Sequence, residues 1–226
     1  MNQKLVSISD SVKEKYKGVK FGFLFVENIK VCKDTDTFSV LRRKVEKEIK
    51  DNICSRYLED KNIKGWLKQF KEMGLNPNQI SPAQIVMIKR ICNGKNIPNI
   101  NVIVDLANIM AVSSKLPVGA FDLEKIIGQI TLRTSKTAEK YLPLFEDKEE
   151  LVPENEIVYA DDDKIFSRYS KDCDLTKITP QTNKVFFVID GTKDNSREEI
   201  MEYLNRLESI IIENLNGDIT RKEVIE

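Results

Sequence analysis

The apolar positions of this chain change period partway along. Phe38, Leu41, Val45, Ile49 and Ile53 recur at three- and four-residue spacing, one face of a helix from about Ser39 to Leu58. Ile63, Trp66, Leu67, Phe70 and Met73 continue the helical period to a natural stop at Gly74. After the Asn76-Pro77 loop, Ser81 is placed to cap and Pro82 to open a third helix carrying Ile85, Ile88, Ile91 and Cys92. Pro98 and Asn101 lead into a fourth, roughly Val102 to Ser113. Beyond Pro117 the period falls to two. Gln129–Thr134 alternates as a half-buried strand. Glu156–Ala160 and Lys164–Arg168 flank Asp161-Asp162-Asp163 as a hairpin.

Two runs, Phe21–Val26 and Lys184–Ile189, are apolar throughout and read as buried strands, the second stopped by Asp190-Gly191. A last helix, capped by Asn195 or Ser196, aligns Ile200, Leu204, Leu207, Ile211 and Leu215 and ends at Asn216-Gly217. The polar tail, Asp218–Glu226, is expected to fray, and Lys136–Asn155 to form a long exposed loop. The order is strand, helices, several strands, helix, which is α+β rather than doubly wound α/β. No interior boundary stands out, so a single domain over 1–226 is expected. Its helical part spans about 39–80, and its last helix about 196–215.

Composition narrows the chemistry. Of 226 residues, 41% are hydrophobic and 32% charged, which excludes a mostly disordered chain. No apolar run nears the roughly 20 residues a spanning helix needs, and no apolar leader follows Met1, so neither a membrane partner nor a signal peptide is expected. The four cysteines, Cys32, Cys54, Cys92 and Cys173, form no CxxC pair. They are read as reduced thiols in the cytoplasm, each a small core residue more readily than a nucleophile.

There is no histidine. Ser-His-Asp and Cys-His catalysis and imidazole metal sites are therefore excluded. Neither GxGxxG nor GxxxxGK[ST] occurs. The triple aspartate is read as a solvated turn, not a metal site, because successive strand side chains point apart. No cofactor and no metal are expected. The net charge is zero, but residues 1–100 carry 20 basic and 11 acidic side chains, and residues 101–226 carry 16 and 25. The basic half is a candidate polyanion surface, with Lys61, Lys64, Lys68 and Lys71 along one helix.

One polar stripe interrupts an apolar helix. Asn101, Asp105 and Asn108 fall on one helical face. Such a stripe either ties neighbouring loops or lines a small polar pocket.

Asn101-Val-Ile-Val-Asp-Leu-Ala-Asn108, Leu116-Pro-Val-Gly-Ala-Phe-Asp-Leu-Glu-Lys-Ile126 and Gly128–Arg133 resemble the B3/B4 domain. That domain lies in the β subunit of bacterial phenylalanyl-tRNA synthetase and also exists as freestanding proteins. Glu156–Asp161, Arg168 and Thr179–Thr182 ahead of Val185–Val188 follow in the order that domain shows, so the motif core covers about 81–191. The resemblance implies a B3/B4-like fold, a mixed or antiparallel sheet packed by helices. It also implies a pocket for an aminoacyl group on the 3′ adenosine of tRNA, and hydrolysis of mischarged aminoacyl-tRNA in trans. The synthetase motif commonly has a histidine where this chain has Gly119, and a glutamate near Phe187 or Val188.

An aminoacyl ester is already activated, so a held water, an oxyanion donor and the neighbouring ribose hydroxyl are enough to hydrolyse it. The resemblance then implies Asn108, Asp122 and Thr182 as catalytic residues, with Asp105 or Asp122 holding the ammonium and Asn108 and Thr182 orienting carbonyl and water. Asn101, Asp105, Gly119, Arg133 and Arg168 become substrate-binding, with both arginines meeting either a phosphate or structural carboxylates. Asn108 and Asp122 are expected in one small cavity. The alternative is a non-catalytic module for tRNA or an amino acid, or a pocketless partner adaptor. A monomer that binds no DNA is expected.

Overall fold

The computed structural model describes residues 4–33 and 36–226. Its elements are β1 (Val6–Ile8), α1 (Asp10–Lys15), β2 (Lys20–Glu27), α2 (Asp36–Asn52), α3 (Lys61–Glu72), α4 (Ala83–Cys92), α5 (Val102–Ser114), β3 (Val118–Asp122), β4 (Ile130–Thr134), β5 (Lys140–Tyr141), β6 (Glu150–Leu151), β7 (Ile157–Ala160), β8 (Ile165–Arg168), β9 (Lys171–Asp172), β10 (Val185–Gly191), α6 (Arg197–Leu215) and β11 (Asp218–Ile225). One sheet has the order β1-β4-β7-β8-β9, a second β11-β2-β10-β3, and β5 pairs with β6. The β1–β4 pair is parallel and the others are antiparallel. The α+β expectation holds.

The continuous apolar runs have a direct cause: β2 and β10 are covered on both faces. Phe21, Phe23 and Phe25 of β2 join Phe186 and Val188 of β10 in a core that includes Ile130, Leu132, Tyr159 and Phe166 of the other sheet. The alternate residues, Leu24, Val26, Val185, Phe187 and Ile189, face a second core built by the helices. Gly22 allows α6 to lie against β2, because a Cβ there would stand 2.6 Å from Ile200 Cγ2 and 2.7 Å from Leu204 Cδ1.

Several expectations are corrected. The helix expected over Ser39–Leu58 ends at Asn52, and a separate 3₁₀ turn occupies Tyr57–Glu59. Pro82, not Ser81, holds the cap position of α4; the Ser81 hydroxyl instead donates to the Pro77 carbonyl at 2.8 Å. β1 and α1 precede the first expected strand, and Pro117–Asp122 is largely a strand that pairs with β10. The tail does not fray: Asp218–Ile225 is an edge strand on β2, where backbone bonding outweighs a polar sequence. Within 136–155, β5 and β6 pair, and Tyr141 and Val152 are buried against Val158, Ala160, Ile165 and Cys173. The thiols are not all free. Cys54 and Cys92 form a disulfide across 38 residues, because the fold brings the regions ending α2 and α4 together. No CxxC spacing announces such a tertiary meeting. Among the described residues no helix is long and apolar enough to cross a membrane.

Candidate functional site

A cavity of about 80 Å³ opens between the β3–β10 edge, the β7–β8 hairpin and the helical layer. One water needs roughly 10–15 Å³, so the cavity has room for a small organic group and not for a nucleotide. Gly119 and Val188 both line it and are direct cross-strand partners. A Cβ on Gly119 would lie 2.7 and 2.9 Å from two atoms of the Phe121 ring and 3.2 Å from Val188 Cγ1. The glycine therefore lets the Phe121 ring fold back across β3, so the room a side chain would take is already occupied.

The polar end of the cavity is Asp190. Strand alternation puts it on the side of Phe186 and Val188, facing the other sheet. The Tyr159 hydroxyl donates to Asp190 Oδ1 at 2.5 Å, and the Tyr169 hydroxyl donates to the same oxygen at 2.9 Å. Among the described residues no hydrogen bond reaches Oδ2. Asp190 is only 4% exposed. Burial pushes its carboxyl up to about 7, against the pull of the two phenols. Burial first, and the Asp190 charge second, raise Tyr159 well above an ordinary phenol, and Tyr169 likewise. Both stay protonated as donors. Trp66 and Phe70 of α3 hold the Tyr169 ring from behind, with centroids at 5.3 and 6.3 Å.

Arg168 also lines the cavity, yet its charge is already matched. Its guanidinium donates to both oxygens of Glu156 at 2.7 and 2.8 Å, and to Glu150. Glu150 in turn pairs with Lys171 at 2.6 Å. Bidentate geometry of this kind fixes a side chain in place. Arg168 thus takes the structural-carboxylate option rather than presenting a free fork to phosphate. Arg133 does the same with Glu139, at 2.8 and 2.5 Å.

The other residues singled out from sequence lie outside this lining. Asn101 caps α5, accepting from Ile103 N and Val104 N. Asp105 is fully buried, accepts from Ile100 N at 2.8 Å and pairs with Arg42 at 3.4 Å. That stripe ties loops. Asn108, next along it, is half-buried on α5. Asp122 caps the 3₁₀ turn Leu123–Lys125 and accepts from the Thr182 hydroxyl at 2.7 Å, while Thr182 Oγ1 accepts from Thr179 N. Neither Asn108 nor Asp122 lines this cavity, so it does not bring the two together. Burial raises the Cys173 thiol, which disfavours the thiolate a nucleophile needs.

Sequence reasoning read Asp190 as a strand stop and passed over Tyr159 and Tyr169 as site residues. The available signal was alternation. A carboxylate in phase with Phe186 and Val188 must enter the inter-sheet core, and a buried carboxylate needs donors.

Comparison with known proteins bears on this geometry. The family model of the B3/4 domain matches residues 65–206. The β subunit of phenylalanine–tRNA ligase from Fusobacterium nucleatum is 32% identical over 139 residues, 58% of this chain and 14% of that protein. The corresponding subunit from Colwellia psychrerythraea is 34% identical over 91 residues, 40% of this chain and 11% of that protein. The matches thus span about a seventh of these relatives or less. In a crystal structure of an N-terminal fragment of the phenylalanyl-tRNA synthetase β subunit from Pyrococcus horikoshii, the same fold covers 99% of this chain and 51% of that one. Its TM-score is 0.55 at 14% identity.

Proposed function

The chain belongs to the B3/4 domain family, and from that premise we propose that it binds aminoacyl-tRNA with the aminoacyl group in the Gly119–Asp190 cavity and the 3′ adenosine outside it, and hydrolyses the ester there. The observation that carries this reading is the pairing of Gly119 with Val188. In the synthetase motif that the sequence resembles, a histidine and a glutamate commonly stand at or near these positions. Here the two are cross-strand neighbours on the wall of a cavity sized for a small amino-acid side chain.

The chemistry asks little of the protein. Water adds to the ester carbonyl, the bond to the ribose oxygen breaks, and the ribose oxygen leaves with a proton. The neighbouring ribose hydroxyl supplies the local proton transfer in a chain without histidine. The protein's part is to hold the aminoacyl group still, with Tyr159, Tyr169 and Asp190 at the polar end and Phe121 and Val188 along the apolar wall. Asp122 and Thr182 brace the end of β3, and Arg168 fixes the β8 wall; we assign them positioning roles.

A second reading is binding without hydrolysis. Gly119 and Val188 offer no hydrogen-bonding side chain to an attacking water, and that favours it. A panel of mischarged tRNAs separates the two. Hydrolysis predicts that the purified protein releases at least one amino acid faster than buffer does, and that Gly119→Val, which pushes Phe121 into the cavity, removes the effect. Retained binding without acceleration selects the second reading. No binding to any member of the panel overturns both.

A further inference from the structure

From the geometry around Asp190 we infer that the cavity is a site for a primary ammonium whose neighbouring carboxyl is blocked, an aminoacyl ester or amide and not a free amino acid. This rests on the reading that the cavity holds an aminoacyl end, and adds which end is read and by what.

The ammonium half follows from the two oxygens of one carboxylate. Oδ1 takes both phenol hydroxyls. Oδ2 has no donor among the described residues, although Asp190 is only 4% exposed and lines the cavity. Oδ2 is not among the described side-chain atoms that are fully buried without a partner, so it keeps accessible surface on a largely buried residue and a donor on a ligand in the cavity can reach it. The phenols stay protonated, so they fix the carboxylate without competing for a cation. Asp172 lines the same cavity as a second acidic side chain, its carboxyl raised by desolvation. A metal ion is a poor fit: among the described residues no group of three His, Cys, Asp or Glu side chains could hold one. An ammonium needs only one such oxygen and a dry wall.

The blocked-carboxyl half follows from Arg168. Among the described residues it is the only cation in the lining, and its fork is closed by Glu156 and Glu150. Its side chain is 7% exposed. A free amino acid would bring a carboxylate into a cavity where two acidic side chains already stand and the one cation is matched, and like-charge burial is strongly unfavourable. An ester or amide carries no such charge. The cavity thereby selects the attached amino acid over the abundant free one by electrostatics alone.

The test is calorimetric titration of the intact chain with a stable probe, 3′-deoxy-3′-aminoacylamino adenosine carrying alanyl, seryl, valyl, phenylalanyl or tyrosyl groups. Three controls accompany it: the N-acetylated probes, the corresponding free amino acids, and Asp190→Asn. The inference expects at least one probe to bind and its N-acetyl form to bind roughly ten- to a hundredfold more weakly, the loss of one charge-assisted hydrogen bond. It also expects the free amino acid to bind weaker by a similar factor, and Asp190→Asn to equalise amine and N-acetyl forms. The amine and N-acetyl comparison uses the unaltered protein, so it stands if the variant misfolds. Equal binding of amine and N-acetyl probes overturns the ammonium assignment while leaving the aminoacyl cavity intact. Tighter binding of a free amino acid than of its amide overturns the blocked-carboxyl assignment. No binding by any probe overturns the reading on which both rest.

Discussion

A carboxylate buried as deeply as Asp190 works against folding, and the cost has a measurable pH signature. Its carboxyl rises from 3.8 to about 7 in the fold. A raised carboxyl contributes stability that is fully present below its unfolded value and lost as pH climbs through the folded one. A rise of that size corresponds to on the order of 4 kcal/mol as an upper bound. Asp190→Asn keeps the shape without the charge. Relative to the unaltered protein it should be more stable at pH 8 by up to that amount, with the advantage vanishing toward pH 4. Paired denaturant titrations at the two pH values measure it, and an advantage that does not change with pH would contradict the burial argument. A costly carboxylate held by two phenols beside a cavity is the pattern of a residue kept for binding rather than for stability. The same residue shows how far sequence reading reaches. Alternation alone places Asp190 in the inter-sheet core, but its partners Tyr159 and Tyr169 come from another part of the fold and have no spacing relation to it. Asn101, Asp105 and Asn108 do show a spacing relation, and the first two of them form a helix cap and a loop tie.

At the scale of elements, strongly periodic segments were legible and edge segments were not. α5, α6, the β7–β8 hairpin and the two apolar strands stand where their patterns predicted. β3 and β11 did not announce themselves, because each lies at a sheet edge where backbone pairing, not alternation, makes the strand. The disulfide was hidden for a related reason, since helix packing brings the two cysteines together rather than sequence spacing. Closing a loop of 38 residues removes unfolded-state entropy equivalent to roughly 4 kcal/mol in the chain-entropy account. Cys54→Ser or Cys92→Ser should lower stability by up to that much, and a reducing agent should produce the same loss in the unaltered protein but none further in either variant. Cys54 and Cys92 pack against the helical core, outside the cavity lining, so probe binding should survive reduction. Abolished binding on reduction would mean that the helical layer is not as independent of the cavity as the packing indicates.

For the whole molecule, the charge asymmetry and the cavity meet at α3. Phe70 on its buried side lines the cavity, and Lys61, Lys64, Lys68 and Lys71 are exposed on the other. Lys61 pairs with Glu199 at 2.9 Å, and Lys68 approaches Glu72 at 4.0 Å. Lys64 and Lys71 are therefore the cations we assign to a phosphate backbone. Replacing both with glutamine should weaken tRNA binding and flatten its salt dependence by roughly 0.7–0.9 in log–log slope for each phosphate no longer neutralised, whatever amino acid is attached. An unchanged slope would move the polyanion surface elsewhere. This separates the two halves of the account: the helical face supplies affinity that salt screens, and the cavity supplies discrimination that salt leaves largely alone. The most direct measurement is the affinity of the purified protein for a panel of tRNAs aminoacylated through a stable amide, each compared with the same tRNA uncharged, at low and at physiological salt. The account predicts that at least one charged form binds tighter than its uncharged partner, by a ratio that holds across salt and collapses in Gly119→Val. Equal affinity of charged and uncharged forms throughout the panel would contradict it.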